Sequence, residues 1–315
     1  MGWQLDYVSI RVSTLRGDQK IDFNAYVKIN DKMVLYLRRG DSFEGDRLKR
    51  LKEKKLRKMY ILTDEEISYR DYLQKNIETA YDNASGKDMK TRAEVIQGAQ
   101  QSNAEEVFEN PESVESYDFC KDAAGKYVSF ITSNAQAMQS VMAIENTDKN
   151  ISHHGVTVAT LAIALASRLG IEDPKKTQLL TLGSLLHDYG HHINPLNLTQ
   201  PLKSMSAADL ATWKRHPGEG AARVQDKKHF DQVVLNIIAQ HEETLDGQGP
   251  MGMKEKEQDP LSIIVSTANA VDRLITFEGV PQMEVAKKLM IDSVGKHPLN
   301  HLQFVGEIMR ASAPS

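Results

Sequence analysis

In Leu185-Leu186-His187-Asp188-Tyr189-Gly190-His191-His192 an imidazole and a carboxylate stand side by side at the end of an apolar run. Two more histidines follow within one helical turn. Imidazole nitrogen combined with carboxylate oxygen suits Zn, Mn, Fe or Ni better than Mg or Ca, which prefer oxygen donors alone. Eight of the ten histidines lie between His153 and His241, a crowding that scattered surface residues would not produce. One histidine by itself is more often structural than a ligand. His154, His187, His216 and His241, however, mostly fall at the ends of expected helices, where side chains from different helices can converge. The spacing therefore points to a metal site with Asp188 inside it and His229 outside the pattern.

Those residues need a helical frame, and the sequence supplies one from about residue 113 onward. Ser113 to Glu145 is a long amphipathic stretch containing Cys120, read as a buried small apolar residue, and His154 to Leu169 is a second helix stopped by Gly170. Asp173-Pro174 opens a third, with Asp as cap and Pro at the first helical position, and this helix runs to His187-Asp188. Ser206 to Trp213, Phe230 to Glu242, Pro260 to Thr276, Pro281 to Val294 and Leu299 to Ala311 follow, without a strong strand signal. Residues 113–315 thus read as an all-α bundle.

The first 80 residues read differently. Tyr7-Val-Ser-Ile-Arg-Val and Asn24-Ala-Tyr-Val-Lys-Ile alternate as strands do, and Lys32-Met-Val-Leu-Tyr-Leu follows an Asn30-Asp31 turn. Asp41-Ser42 is placed to cap a basic helix through Arg57, Lys58 to Leu62 is a short strand, and a helix starts near Thr63. Residues 1–80 form a small α/β module, 81–112 a polar linker or connecting helix, and the whole chain is α+β. The eight Lys and Arg from Arg47 to Lys58 read first as a solvated helix face over Leu48, Leu51 and Leu56.

Composition narrows the function classes. With 315 residues, 40% hydrophobic and 26% charged, the chain has the make-up of a soluble globular protein. A formal charge of −4 gives no global attraction to a long nucleic acid or an anionic membrane. A single cysteine excludes an internal disulfide, the N-terminus lacks a signal-peptide pattern, and no apolar run reaches the roughly 20 residues that cross a bilayer. A cytoplasmic protein is the expectation.

Taken together, the motifs resemble the HD superfamily of metal-dependent phosphohydrolases, and within it the HD-GYP subgroup. His154-Gly-Val-Thr-Val-Ala looks like its first-ligand motif, His187-Asp-Tyr-Gly with Pro195 like its His-Asp-Ile-Gly-Lys…Pro, and Arg215-His216-Pro-Gly like its central His-Pro element. His241-Glu-Glu-Thr-Leu-Asp246-Gly247-Gln-Gly249-Pro250 is similar to its His-His-Glu-Arg-x-Asp-Gly-x-Gly-Tyr-Pro. The resemblance covers about residues 115–312 and carries departures. Gly249 runs straight into Pro250 without the Tyr, and Glu242 replaces the second His of the pair. His191 stands where a phosphate-contacting Lys is expected, Asn269 where the last Asp ligand is, and Glu278 where an Arg is.

The resemblance implies a bacterial signalling phosphodiesterase with two transition-metal ions, Fe or Mn first and Zn or Ni next, acting on a cyclic dinucleotide. Cyclic di-GMP is the leading substrate. Asp188 would bridge the ions, since a carboxylate has one oxygen for each, and His154, His187, His216 and His241 would complete the shells. Asn269 or Asp272 would close the first ion and Glu242 the second. His191 or His192 would protonate the leaving oxygen. His191, Asp246, Gly247 and Gly249 are the expected substrate contacts, and protein partners are expected through the N-terminal module. A hydrolase of another cyclic dinucleotide or nucleotide ester stays open beside this reading, as does a catalytically weak binding scaffold.

Overall fold

The computed structural model describes residues 6–147, 149–198 and 201–312. The chain divides into two compact units, residues 1–102 and 103–315.

The first unit is built on four strands: β1 (Tyr7–Arg11), β2 (Ala25–Ile29), β3 (Lys32–Leu37) and β4 (Lys58–Leu62). They form one antiparallel sheet in the order β1-β4-β2-β3. Asn30 and Asp31 both take positive φ, 47° and 62°, which is the backbone a two-residue hairpin needs. Alternate residues of β4, Met59 and Ile61, are fully buried with Ile10, Ile21 and Phe23. Between β3 and β4 lies helix α1 (Arg47–Glu53), shorter than the span expected from Asp41. The reason is local: Ser42 bridges to Lys20, Phe43 is drawn into the core, and Gly45 turns the chain at φ 63°. Leu51 is buried beneath α1 and its basic residues stay in solvent. Helix α2 (Glu66–Tyr81) follows β4 after one 3-10 turn, and the polar stretch beyond it is mostly helix α3 (Met89–Glu109).

The second unit is helical throughout its described residues: α4 (Val114–Ser133), α5 (Ala135–Met142), α6 (Ile151–Arg168), α7 (Pro174–Leu186), α8 (Tyr189–Ile193), α9 (Ala207–Val224), α10 (Gln232–Gln240), α11 (Pro260–Thr276), α12 (Val285–Asp292) and α13 (Leu299–Ser312). No described helix is long and apolar enough to cross a membrane. Asp173 caps α7 through Lys175 and Lys176 backbone N–H groups, Asp259 caps α11 through that of Leu261, and a proline follows each cap. The amphipathic stretch 113–145 is two helices, because the Asn134 side chain accepts from the Gln136 N–H and restarts the chain as α5. Phe230 to Glu242 and Pro281 to Val294 each shrink to their central turns, α10 and α12.

Helix α9 runs about three turns beyond what the sequence suggests, straight through Pro217. Pro217 lacks the N–H that would have bonded the Trp213 carbonyl, and His216 Nδ1 takes that carbonyl instead, at 2.5 Å. The side chain of one residue thus repairs the backbone defect made by the next.

Helix α6 is the centre of the bundle, with residues such as Val156, Val158, Leu161, Ile163 and Leu165 at 2% exposure or less. It packs against α7 and α11, whose Leu180, Leu182, Val265 and Val271 are equally buried. Each such aliphatic side chain contributes roughly 1.5–3 kcal/mol on burial. The helices that bear the chemistry are therefore the most tightly held part of this unit. Backbones approach closely where they need to: a Cβ on Gly155 would lie 2.9 Å from the Leu185 carbonyl oxygen. One on Gly190 would lie 2.0 Å from that of His216.

Candidate metal centre

The HD-bearing segment ends α7 and begins α8. His187 caps the C-terminal end of α7, just after Leu186, and Asp188 is the position before α8. Around the Asp188 carboxylate stand imidazoles from four elements. Its Oδ1 lies 3.5 Å from His187 Nε2, 3.3 Å from His216 Nε2 and 3.4 Å from His241 Nε2, while Oδ2 lies 3.8 Å from His154 Nε2. All five residues are buried. Burial alone would raise the Asp188 pKa, but the imidazoles packed around it, His187 and His191 first, hold its carboxyl well below the usual range.

Three of the histidines are aimed by the same device. His187 Nδ1 faces the Ser184 carbonyl at 2.7 Å, His241 Nδ1 that of Ile238 at 2.9 Å, and His216 Nδ1 that of Trp213. The first two carbonyls belong to last helical turns, which have no intrahelical partner, and the third is the one freed by Pro217. With Nδ1–H donating to a carbonyl, each Nε2 keeps its lone pair and points at Asp188. His216 Nε2 and His241 Nε2 then face each other at 2.8 Å, and His187 Nε2 is buried without a hydrogen-bond partner. Converging bare nitrogens repel unless a cation stands among them. The donor set of imidazole nitrogen and carboxylate oxygen fits a divalent transition metal. The cluster can hold metal ions in three overlapping groups: His154 with His187 and Asp188; Asp188 with His191 and His216; and His216 with His241 and Glu242.

His154 is held the other way round. Its Nδ1 pairs with Asp272 Oδ2 at 2.5 Å, and Asp272 Oδ1 accepts from the Thr276 hydroxyl at 3.0 Å. Burial works against protonating His154, but the Asp272 carboxylate outweighs it and raises the pKa. Nε2 faces the Asn269 carbonyl oxygen at 3.0 Å, and the Asn269 amide donates to Glu242 Oε1 at 3.0 Å. Of the two α11 residues that sequence left as alternatives, Asn269 thus faces the cluster, while Asp272 sits behind the His154 ring and orients it. Partners of this kind behind a ligand are worth about 10–100-fold in metal affinity. Asp272→Asn is accordingly expected to weaken metal binding by about that factor, read by titrating the ion into the stripped protein. Unchanged affinity would remove Asp272 from any role in the site.

The remaining candidates separate. His191 is buried and stacked on His216 with ring centroids 3.8 Å apart. Burial, then the neighbouring His216, pushes it down to about 3. His192 is exposed on α8 beside the rings of Phe108 and Tyr189 and is not brought to the cluster. Asp246, Gly247 and Gly249 do not line the pocket; they shape a loop. Asp246 Oδ1 accepts from Thr244 and the Gln248 N–H, and Gly247 has φ 76°. Gly249 packs so tightly that a Cβ would lie 2.5 Å from Glu243 Cα. Glu243, which sequence did not single out, is buried and accepts the N–H groups of Met251 and Met253 at 2.6 and 2.8 Å. Its signal was only its place beside Glu242 in a stretch already marked as a motif.

A small pocket of about 20 Å³ opens over the cluster, lined by His154, Asp188, His191 and Asn269 together with Trp213, Arg273 and others. An HD-domain family model matches residues 151–274, from the first residue of α6 into the last turn of α11, and so spans every residue of the cluster. Bd1817, described as a HDG"Y"P protein from Bdellovibrio bacteriovorus, is 77% identical, with a TM-score of 0.93 over 97% of this chain and 100% of that one. The chain belongs to the HD-GYP family. Among curated proteins, this HD-GYP chain is 27% identical over 139 residues to cyclic di-GMP phosphodiesterase PA4108 of Pseudomonas aeruginosa. It is 24% identical over 123 residues to cyclic di-GMP phosphodiesterase PdeB of Borreliella burgdorferi. Those matches cover 44% and 39% of this chain but only about a third of each relative, 33% and 32%.

Proposed function

We propose that this HD-GYP chain is a metal-dependent phosphodiesterase acting on a cyclic dinucleotide, cyclic di-GMP first, with two ions of which Fe or Mn is the leading choice. The observation that carries this reading is the Asp188 carboxylate, whose two oxygens face different sets of imidazoles. His154, His187, Asp188 and the Asn269 oxygen would hold one ion, and Asp188, His216, His241 and Glu242 the other. When bound, such ions acidify water and neutralise charge on a phosphoryl group. The protein's own groups do the rest. The carbonyl-anchored imidazoles and the Asp272–His154 pair hold the donors in place before substrate arrives. His191, stacked on His216 at the pocket wall, is placed to hydrogen-bond the departing oxygen. The names of the curated relatives support the substrate class. The N-terminal sheet module is proposed to recruit a protein partner.

A second reading, a receptor that binds without turnover, is favoured by Asn269, which supplies oxygen but no charge. Incubating the Mn- or Fe-loaded protein with cyclic di-GMP and with cyclic di-AMP separates the two. Metal-dependent release of linear dinucleotide is the expected result. Ion binding and nucleotide binding without product would leave the receptor, and a protein that takes up no metal would end the hydrolase reading.

A further inference from the structure

Arg273 lies on α11 one turn beyond Asn269, so both side chains leave the same face of the helix, and it lines the pocket over the cluster. It is the one Lys or Arg among the described residues of that lining, beside the carboxylates of Asp188, Glu242 and Glu278. Its guanidinium is shielded yet poorly partnered. Nε and Nη1 are buried without a hydrogen bond, and the nearest carboxylate oxygen, Glu242 Oε2, is 4.0 Å from Nη1, beyond hydrogen-bonding range. The guanidinium carbon stands over the Trp213 ring at 5.3 Å, so the aromatic face sets the plane of the fork.

A half-buried cation with two buried, idle donors is costly to maintain unless a ligand uses them. A planar fork presents paired N–H groups that match two oxygens of a phosphate, which a point charge cannot do. We propose that Arg273 binds the non-bridging oxygens of the substrate's phosphate group and so places it against the metal centre. This rests on the phosphodiesterase reading above for the identity of the ligand, and adds the residue that selects an anionic phosphate over a neutral ester.

The test uses the Mn-loaded full chain, wild type beside Arg273→Ala and Arg273→Lys. Metal content is measured by elemental analysis and binding of inorganic phosphate by calorimetry, with KM and kcat on whichever cyclic dinucleotide is hydrolysed. Removing a hydrogen-bonded charge is expected to weaken phosphate binding at least about tenfold and to raise KM, with metal content unchanged. Arg273→Lys should recover only part, since it restores charge but not the fork or its stacking on Trp213. Phosphate affinity equal to wild type in Arg273→Ala, or no phosphate binding by the wild type itself, would overturn the assignment. So would loss of metal from both variants, which would make Arg273 a support for Glu242. Turnover with an unchanged KM in Arg273→Ala would sink this inference and leave the hydrolase standing. Lost phosphate binding in a protein that hydrolyses nothing would do the reverse.

Discussion

Asp188→Ala is expected to empty the centre of both proposed ions and to lower phosphodiester hydrolysis at least about a thousandfold, since metal ions supply several kcal/mol of transition-state stabilisation and each 1.4 kcal/mol is a factor of ten. The size of the effect follows from position. Every imidazole pointed at the site lies 3.3–3.8 Å from one of this residue's two oxygens. Without the carboxylate, four buried imidazoles would have to share cations with no negative charge at the centre. Asp188→Asn makes a finer probe, because it keeps one carbonyl oxygen and offers an N–H on the other side. It should hold at most one ion. Elemental analysis of wild type, Asp188→Ala and Asp188→Asn, with circular dichroism to check the fold, reads the outcome. Two ions retained in Asp188→Ala would remove it as the bridge.

Gly190→Ala should be the most damaging single methyl group in the second unit. The added Cβ would lie 2.0 Å from the His216 carbonyl oxygen, 2.6 Å from its carbon and 2.9 Å from its Cα. These are backbone atoms, so no rotamer change relieves the clash, and α8 and α9 must separate. Gly220 makes the mirror contact, its Cβ position 2.8 Å from Gly190 N. Overpacking of this kind costs about 1–3 kcal/mol or more, equivalent to roughly 2–12 °C in Tm for a unit of this size. The displaced residue is His216, so the metal stoichiometry should fall with the melting temperature. Gly218→Ala is the control: it lies in the same helix with nothing within 4 Å of its Cβ position, and should be neutral or slightly stabilising. A Gly190→Ala protein that melts with the wild type would show that the crossing can relax.

Much of this could be read from residue types. Asp173-Pro174 and Asp259-Pro260 announce their helices because a cap and a proline act within one turn. Histidines at helix ends are legible as a convergent set for the same reason: the bundle brings ends together. What could not be read depends on direction. Asn269 and Asp272 are three residues apart on one helix, and only the ring orientation of His154 decides which faces the cluster and which stands behind. The expected helix stopped at Trp213, and its continuation through Pro217 depends on the repair by His216 Nδ1, a side-chain contact that no local propensity encodes. Arg273 carried no signal of its own in the sequence, because its relation to Trp213 joins two helices sixty residues apart. The loop residues Asp246 and Gly249 carried a motif whose physical meaning here is a turn braced on a buried carboxylate.

The cluster draws its side chains from α6, α7, α8, α9, the end of α10 and α11, and one of its contacts joins residues 115 apart in the chain. Such a site is complete only after the bundle has closed, so an ion has little to grip while the chain is still folding. Metal should then act as a brake on unfolding and leave refolding alone, as expected for interactions absent from the transition state. Stopped-flow experiments on stripped and loaded protein would show it: the unfolding arm should shift with the ion and the refolding arm should not. In a cell where metal is scarce, the protein would still fold on schedule, and what it would lose is the length of time it stays folded.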